Sequence, residues 1–147
     1  MEKLNAVEIK SRIISLMRIR GPVLPIHAAR ETKMSVLFAS AFLSELSSEK
    51  SVKISNLKVG GSPLYFLPGQ EIQLEKFSNY LPGKEREAFF LLKEKKILED
   101  AKQEPAIRVA LRSIRDFAMP LVINDKDGQR FFWRFLSVHE NEATEII

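Results

Sequence analysis

The chain has 147 residues, of which 45% are hydrophobic and 29% are charged. This length and composition indicate one globular domain or two small ones, and they exclude an intrinsically disordered chain. The net charge is +4 and is unevenly spread: residues 1–70 hold ten basic and five acidic side chains, whereas residues 71–147 hold thirteen and fourteen. A basic first half predicts contact with a polyanion.

Several classes of protein are excluded by what the sequence lacks. It has no cysteine, and its two histidines, His27 and His139, are far apart, so we expect no disulfide, no cysteine nucleophile and no metal site. No charge-free stretch reaches the ~18–20 apolar residues of a membrane span, and the start of the chain lacks the features of a signal peptide. We therefore expect a cytoplasmic protein that uses no cofactor and binds no membrane.

Capping residues and hydrophobic spacing predict three helices in the first half. The first begins after Asn5 and ends at Gly21, and the residues before Pro25 are extended because a following proline disfavours helix. A second helix fits residues 26–32. Ser35 is expected to cap a third helix that runs to about Glu49. The predicted buried stripe of this third helix comprises Val36, Leu37, Ala39, Leu43 and Leu46, broadened by Phe38 and Phe42.

A hairpin is predicted after the third helix. Residues 52–58 read as a strand whose register slips near Asn56. Gly60 and Gly61 open a turn, and residues 64–67 form the returning strand, which Pro68 ends.

The second half is predicted to contain more helices and a second hairpin. The helices cover residues 71–80, residues 84–102, and a segment that begins at Pro105. Residues 121–123 and 130–136 are the predicted strands of the second hairpin, and residues 139–147 are expected to be frayed.

The order of elements over residues 5–69 is helix, short strand, helix, helix, strand, turn, strand. It resembles the winged-helix family of helix-turn-helix proteins, with the link at residues 21–25 and the turn at Gly60 and Gly61 in the position of the wing. The resemblance implies a predominantly helical α+β fold, with a winged-helix domain at 1–69. Residues 70–147 would then form a helical connector and a winged-helix-like assembly half that ends in a β-hairpin. The resemblance also implies a protein associated with nucleic acid. The compact helices rich in lysine and glutamate are typical of an archaeal source.

In a winged helix, the third helix enters a groove and the wing contacts the backbone beside it. The third helix here offers serines, but none of the arginine, asparagine or glutamine side chains that read bases in a bidentate manner. Glu45 and Glu49 would repel phosphates, and a solvated structural face is an equally open interpretation of this helix. We therefore expect binding to the phosphate backbone with little sequence specificity. The candidate nucleic-acid-binding residues are Arg18, Arg20, Arg30, Lys33, Ser35, Ser40, Ser44, Lys50, Lys53, Lys58, Gly60 and Gly61.

A possible second basic stripe is formed by Arg108, Arg112 and Arg115, which share one face of a helix by their i, i+4, i+7 spacing. Guanidinium groups suit phosphates or carboxylates. Intramolecular salt bridges, with Glu104 and Asp116 as near acids, are the favoured interpretation. The inward positions of the same helix are predicted to be Val109, Ala110 and Ile114.

Two segments are apolar on more than one face, and they predict a homodimer formed through the second half. Residues 88–92 cover the full circumference of a helix, and residues 131–136 are apolar on both faces of a strand. A fully buried monomeric core is the alternative. The candidate interface residues are Phe89, Phe90, Leu92, Phe132 and Leu136.

Catalytic motifs are absent from the sequence. Gly60 and Gly61 do not belong to a phosphate-binding loop, and the turn at residues 125–128 lacks the further ligands of a calcium loop. We expect no enzyme and no small-molecule substrate. The leading hypothesis is a DNA-binding, regulator-type dimer. The alternatives are a translation or hibernation-type factor on ribosomal RNA and proteins, and a protein–protein adaptor.

Overall fold

The computed structural model describes residues 4–147. The fold is mixed α+β, with helices and two small antiparallel sheets, which confirms the predicted fold class. The chain divides into two compact units, Met1–Leu74 and Glu75–Ile147, called unit 1 and unit 2. The predicted domain boundary after residue 69 stays a prediction. Within the described residues, no helix combines the length and the hydropathy that a membrane span requires.

Unit 1 has three helices followed by a hairpin. The elements are α1 (Ala6–Arg20), α2 (Pro25–Thr32), α3 (Val36–Ser48), β1 (Lys53–Val59) and β2 (Ser62–Phe66). Val23 lies between α1 and α2 and exchanges two backbone hydrogen bonds of 2.8 Å with Tyr65 of β2. This extended residue therefore adds a third strand position beside β2, as in the predicted winged-helix-like order.

Local signals explain where these elements begin and end. The Asn5 side chain accepts a hydrogen bond of 2.9 Å from the Glu8 amide and caps α1. Gly21 ends α1 with a φ of 91°, and an added Cβ there would collide with the side-chain oxygen of Gln73. The register of β1 shifts between Ile54 and Lys58, which confirms the predicted slip.

The core of unit 1 lies between the three helices and β2. Its fully buried members include Ile13, Met17, Ala39 and Leu43. The predicted stripe of α3 is wrong at its first turn, because Val36, Leu37 and Phe38 are 44%, 78% and 62% exposed. These residues lie at the start of the helix, where the hydrophobic spacing continues but none of the described elements covers them.

Unit 2 has the order helix, strand, helix, hairpin, helix. It contains α4 (Gly83–Lys95), β3 (Ile97–Glu99), α5 (Pro105–Ser113), β4 (Ala118–Asp125), β5 (Gly128–Phe135) and α6 (Glu140–Ile146). Two 3-10 helices also occur, at Glu71–Tyr80 and Asp100–Lys102, and the first of them crosses the division between the units. All pairing is antiparallel, with strand order β3-β5-β4.

Two predicted elements of unit 2 are wrong. The helix expected over residues 84–102 ends at Lys95, because Lys96 has a φ of 70° and the next residues pair with β5 as β3. The C-terminal segment is helical rather than frayed, because α6 buries Ala143 completely. In both places a tertiary contact decides the local structure.

The aromatic core of unit 2 contains most of the residues predicted for a dimer interface. Phe89 makes edge-to-face contacts with Phe117 at 4.8 Å and Phe135 at 5.6 Å between ring centroids. Phe89, Leu92 and Phe132 are at most 4% exposed, so their assignment to an interface is wrong. Leu136 is half-buried, and Phe90 is 50% exposed.

Candidate nucleic-acid interface

Exposed cations surround the helices of unit 1 and have no salt-bridge partner among the described residues. They lie at the end of α1, in and after α2, after α3 and in β1. These cations are Arg18, Arg20, Arg30, Lys33, Lys50 and Lys58. All seven sequence-predicted cations are exposed, and with one exception none of them makes a salt bridge among the described residues.

That exception is Lys53, whose Nζ lies 3.1 Å from the carboxylate of Glu71. Burial would raise the pKa of Glu71, but hydrogen bonds from backbone amides and from Lys53 lower it overall. The Glu71 carboxylate therefore stays charged and competes with any phosphate for Lys53.

Glu45 of α3 and Glu49 at its C-terminal cap share one cation, Lys10, that sequence reasoning missed. Nζ of Lys10 lies 3.0 Å from Glu45 and 2.5 Å from Glu49. Its hydrogen bond to Glu49 raises the pKa of Lys10 above the usual lysine value. The pairing joins residues 39 positions apart, so no local spacing could have shown it. The repulsion of phosphates expected from Glu45 and Glu49 is correspondingly reduced.

The serines of α3 differ in their availability. The Ser35 hydroxyl accepts the Phe38 amide hydrogen bond at 3.2 Å and serves as the helix cap. Ser40 is half-buried, whereas Ser44 is exposed. The outward face of α3 therefore offers hydroxyl groups together with exposed Leu37 and Phe38, and no cation lies between Val36 and Ser48.

Two of the exposed lysines have a left-handed backbone. Lys33 ends α2 with a φ of 54°, and Lys50 follows α3 with a φ of 65°. This conformation favours glycine, and a side chain with a Cβ costs about 1 kcal/mol there. The wing tip uses glycine in the usual way, because Gly60 and Gly61 have φ values of 58° and 83° and open space around them.

His27 lies close to two of the candidate cations. Burial lowers the pKa of this imidazole, and the positive charges of Arg20 and Arg30 lower it further. Its Nδ1 accepts the Leu24 amide hydrogen bond at 3.0 Å, which requires a neutral ring. The cations of α1 and α2 therefore flank one neutral histidine at the start of α2.

A shallow groove of about 420 Å³ brings the end of α3 next to β1. Its lining residues are Ser47, Lys50, Val52, Lys53, Ile54 and Phe66. Lys50 and Lys53 thus both line this groove.

The predicted second basic stripe does not form as one helical face. Helix α5 ends at Ser113, so Arg115 lies outside it. Arg112 donates hydrogen bonds of 2.7 and 3.0 Å to Asp100, and Arg108 donates one of 3.1 Å to the same carboxylate. Val109, expected to face inward, is 65% exposed. Arg108 and Arg112 therefore pair within the chain, with Asp100 as their shared acceptor.

Asp100 is almost completely buried and is fully engaged. The Trp133 indole N–H donates to it at 3.0 Å, in addition to the two arginines. The Arg112 guanidinium, opposed by burial, holds the pKa of Asp100 far below its usual value, with Trp133 and Arg108 adding to the effect. The neighbouring carboxylate of Glu99 pairs instead with Arg130 at 2.8 Å. This cluster fixes β3, α5 and β5 to one another.

Fold and surface together define a winged-helix-like α+β protein with a basic first unit. No protein-family model and no curated protein matches the sequence. Among solved structures, the chain is similar to ScpB from Mycobacterium tuberculosis, with 18% identity over 90% of this chain and 93% of that chain and a TM-score of 0.34.

Proposed function

We propose that unit 1 binds the phosphate backbone of a nucleic acid with little sequence specificity and without catalysis. The observation that carries the proposal is the set of exposed cations around α1, α2, α3 and β1 that form no salt bridge with any residue from 4 to 147. When such side chains neutralise phosphates, the counterions condensed on the nucleic acid are released, and this release drives association.

The backbone of Lys33 and Lys50 agrees with the proposal but does not carry it, because Lys96 in unit 2 also has a positive φ at a helix end and pairs with Glu142. Lys33 and Lys50 both have the left-handed conformation in which glycine would cost less. Backbone strain that persists is a reason to look for a functional role. A positive charge at these helix ends, in place of a glycine, is consistent with phosphate binding.

Low specificity follows from the composition of α3. Bidentate recognition of guanine or adenine uses arginine, lysine, asparagine or glutamine, and Val36–Ser48 contains none of these. Its exposed hydroxyl groups suit phosphate oxygens or single contacts to bases. We therefore propose recognition by charge and shape.

A charge-removal experiment tests the proposal. The test variant combines Arg18→Gln, Arg20→Gln, Lys50→Gln and Lys58→Gln, and its affinity for a duplex of mixed sequence is measured at low salt. The matched control removes the same charge from exposed cations of unit 2 by Lys76→Gln, Lys95→Gln, Arg115→Gln and Lys126→Gln. We expect a loss of at least tenfold, about 1.4 kcal/mol, in the test variant only. Equal losses in both variants, or none, would contradict binding through unit 1.

The same surface could serve DNA or ribosomal RNA, and we give DNA, with a regulator-type role, as the leading candidate. Co-sedimentation with ribosomal subunits, compared with retention on genomic DNA at equal salt, separates the two. Stronger retention on DNA supports the regulator-type candidate, and stronger co-sedimentation supports the ribosome-associated one. A homodimer and a cytoplasmic location also stay predictions.

A protein–protein adaptor is the second candidate, favoured by exposed Leu37 and Phe38 at the start of α3. Large apolar side chains at this position contribute little to phosphate binding but suit a protein surface. The substitutions Leu37→Ser and Phe38→Ser should leave nucleic-acid affinity within about twofold of the original. Failure of the unsubstituted chain to bind either DNA or ribosomal subunits would favour the adaptor.

A further inference from the structure

Strand β4 forms one edge of the sheet of unit 2. It is paired with β5 along its whole length, from Ala118 opposite Phe135 to Asp125 opposite Gly128. Among the described residues no strand pairs with its other side. An unpaired edge of this length presents backbone donors and acceptors that another strand can use.

The register shows which residues direct their backbone groups outward. Asp125 and Gly128 flank a two-residue turn and form a hydrogen-bonded pair, so bonding to β5 alternates from there. Pro120, Val122 and Asn124 are therefore the residues whose backbone groups point away from β5. The position of Pro120 agrees, because a proline has no N–H and is tolerated only on the outward side.

These outward residues are accessible. Pro120, Val122 and Asn124 are all exposed, and Val122 is 49% exposed. The N–H and C=O groups of Val122 and Asn124 are thus available along a strand rich in β-branched and apolar residues.

We propose that a second copy of this chain adds its own β4 to this edge, antiparallel and centred on Ile123. In that register the N–H and C=O of Val122 bond to the C=O and N–H of Asn124 in the second copy, and the reverse pair forms by symmetry. Pro120 then lies opposite the turn residue Lys126 of the second copy, outside the ladder. The edge is therefore complementary to itself, with every outward N–H of the central segment paired.

Side chains on the two faces also fit this register. Ile123 meets Ile123 of the second copy at a non-hydrogen-bonded position, where side chains approach most closely. Val122 lies beside Asn124 of the second copy, so no like charges face each other across the seam. The inference does not rest on nucleic-acid binding. It replaces the interface predicted from sequence, most of whose residues lie in the core of unit 2.

A proline substitution tests the edge without disturbing the sheet. In Val122→Pro the lost N–H is one that points away from β5, so the ladder within the chain stays intact. Val122→Thr keeps that N–H and is the matched control. Light scattering at tens of micromolar protein should show a dimer for the unsubstituted chain and for Val122→Thr, and a monomer for Val122→Pro. A monomeric unsubstituted chain would overturn the proposal.

Cross-linking gives a second readout that does not depend on the proline variant being folded. The chain has no cysteine, so Ile123→Cys introduces a single thiol that meets its counterpart in the proposed register. Met119→Cys lies on the same face, but the two copies of this residue would be eight strand positions apart, about 26 Å. Oxidation should link Ile123→Cys into a dimer and leave Met119→Cys monomeric. A dimer in solution whose Ile123→Cys variant does not cross-link would place the interface elsewhere.

Discussion

Asp100 concentrates more polar contacts than any other side chain described in unit 2, since Arg108, Arg112 and Trp133 all donate to its carboxylate. Asp100→Asn would leave two guanidinium groups without their counter-charge. Both are nearly half exposed, at 44% and 49%, so water offsets part of the loss. We expect the free energy of unfolding to fall by about 2 kcal/mol.

Urea unfolding followed by the fluorescence of Trp133, the single tryptophan of the chain, measures this change. Asp127→Asn, in the exposed turn between β4 and β5, is the control and should change stability by less than about 0.5 kcal/mol. A similar loss in both variants would mean that the buried pairing of Asp100 is not the cause.

The depressed pKa of Asp100 also predicts an acid dependence of stability. Hydrogen bonds from Arg112 are the main cause of the shift. Because the folded pKa lies below the unfolded one, the unfolded chain takes up a proton first as the pH falls. The contribution of Asp100 is therefore complete at neutral pH and should be lost progressively below about pH 5. Urea unfolding at stepped pH should show a steeper decline for the unsubstituted chain than for Asp100→Asn, and parallel curves would contradict this.

At the scale of elements, helix α3 depends on a local cap. The Ser35 hydroxyl accepts the amide hydrogen bond of Phe38, and loss of such a cap costs about 1 kcal/mol. Ser35→Ala should therefore lower the free energy of unfolding by about this amount, measured by chemical denaturation followed by circular dichroism. Ser44→Ala, on the exposed face of the same helix, should leave it nearly unchanged or raise it slightly.

Elements that end at local signals could be predicted from the sequence, and elements set by distant pairing could not. Asn5, Gly21 and Ser35 mark helix boundaries through contacts within a few residues. Strand β3 instead depends on its pairing with β5, for example of Leu98 with Trp133. Residues 96–102 are predicted to be helical because residues 84–102 contain no helix-ending signal such as glycine or proline. Exposure of Leu37 and Phe38 escaped prediction for a related reason, since periodicity cannot show where a neighbouring element stops covering a helix.

The candidate site shows the same division. That the first half carries the excess of positive charge, and which lysines and arginines compose it, could be read from the sequence. Their pairing could not, because Lys10 reaches Glu49 and Lys53 reaches Glu71 across the fold. At the scale of the whole molecule, these pairings decide which cations of unit 1 are available to a partner.

Lys53 and Lys58 lie in the same strand, β1, but differ in how available their side chains are to a partner. Lys53 is held by Glu71 at 3.1 Å, whereas Lys58 is exposed without a salt bridge among the described residues. Each phosphate contact contributes about 0.9 to the slope of log affinity against log salt for duplex DNA. We expect Lys58→Gln to reduce that slope by about 0.9 and Lys53→Gln to reduce it by clearly less, in a binding titration across salt concentrations. Because these contacts carry no sequence information, the reduction should be the same for duplexes of unrelated sequence. Equal slopes for the two variants would show that the Glu71 ion pair does not limit what Lys53 binds.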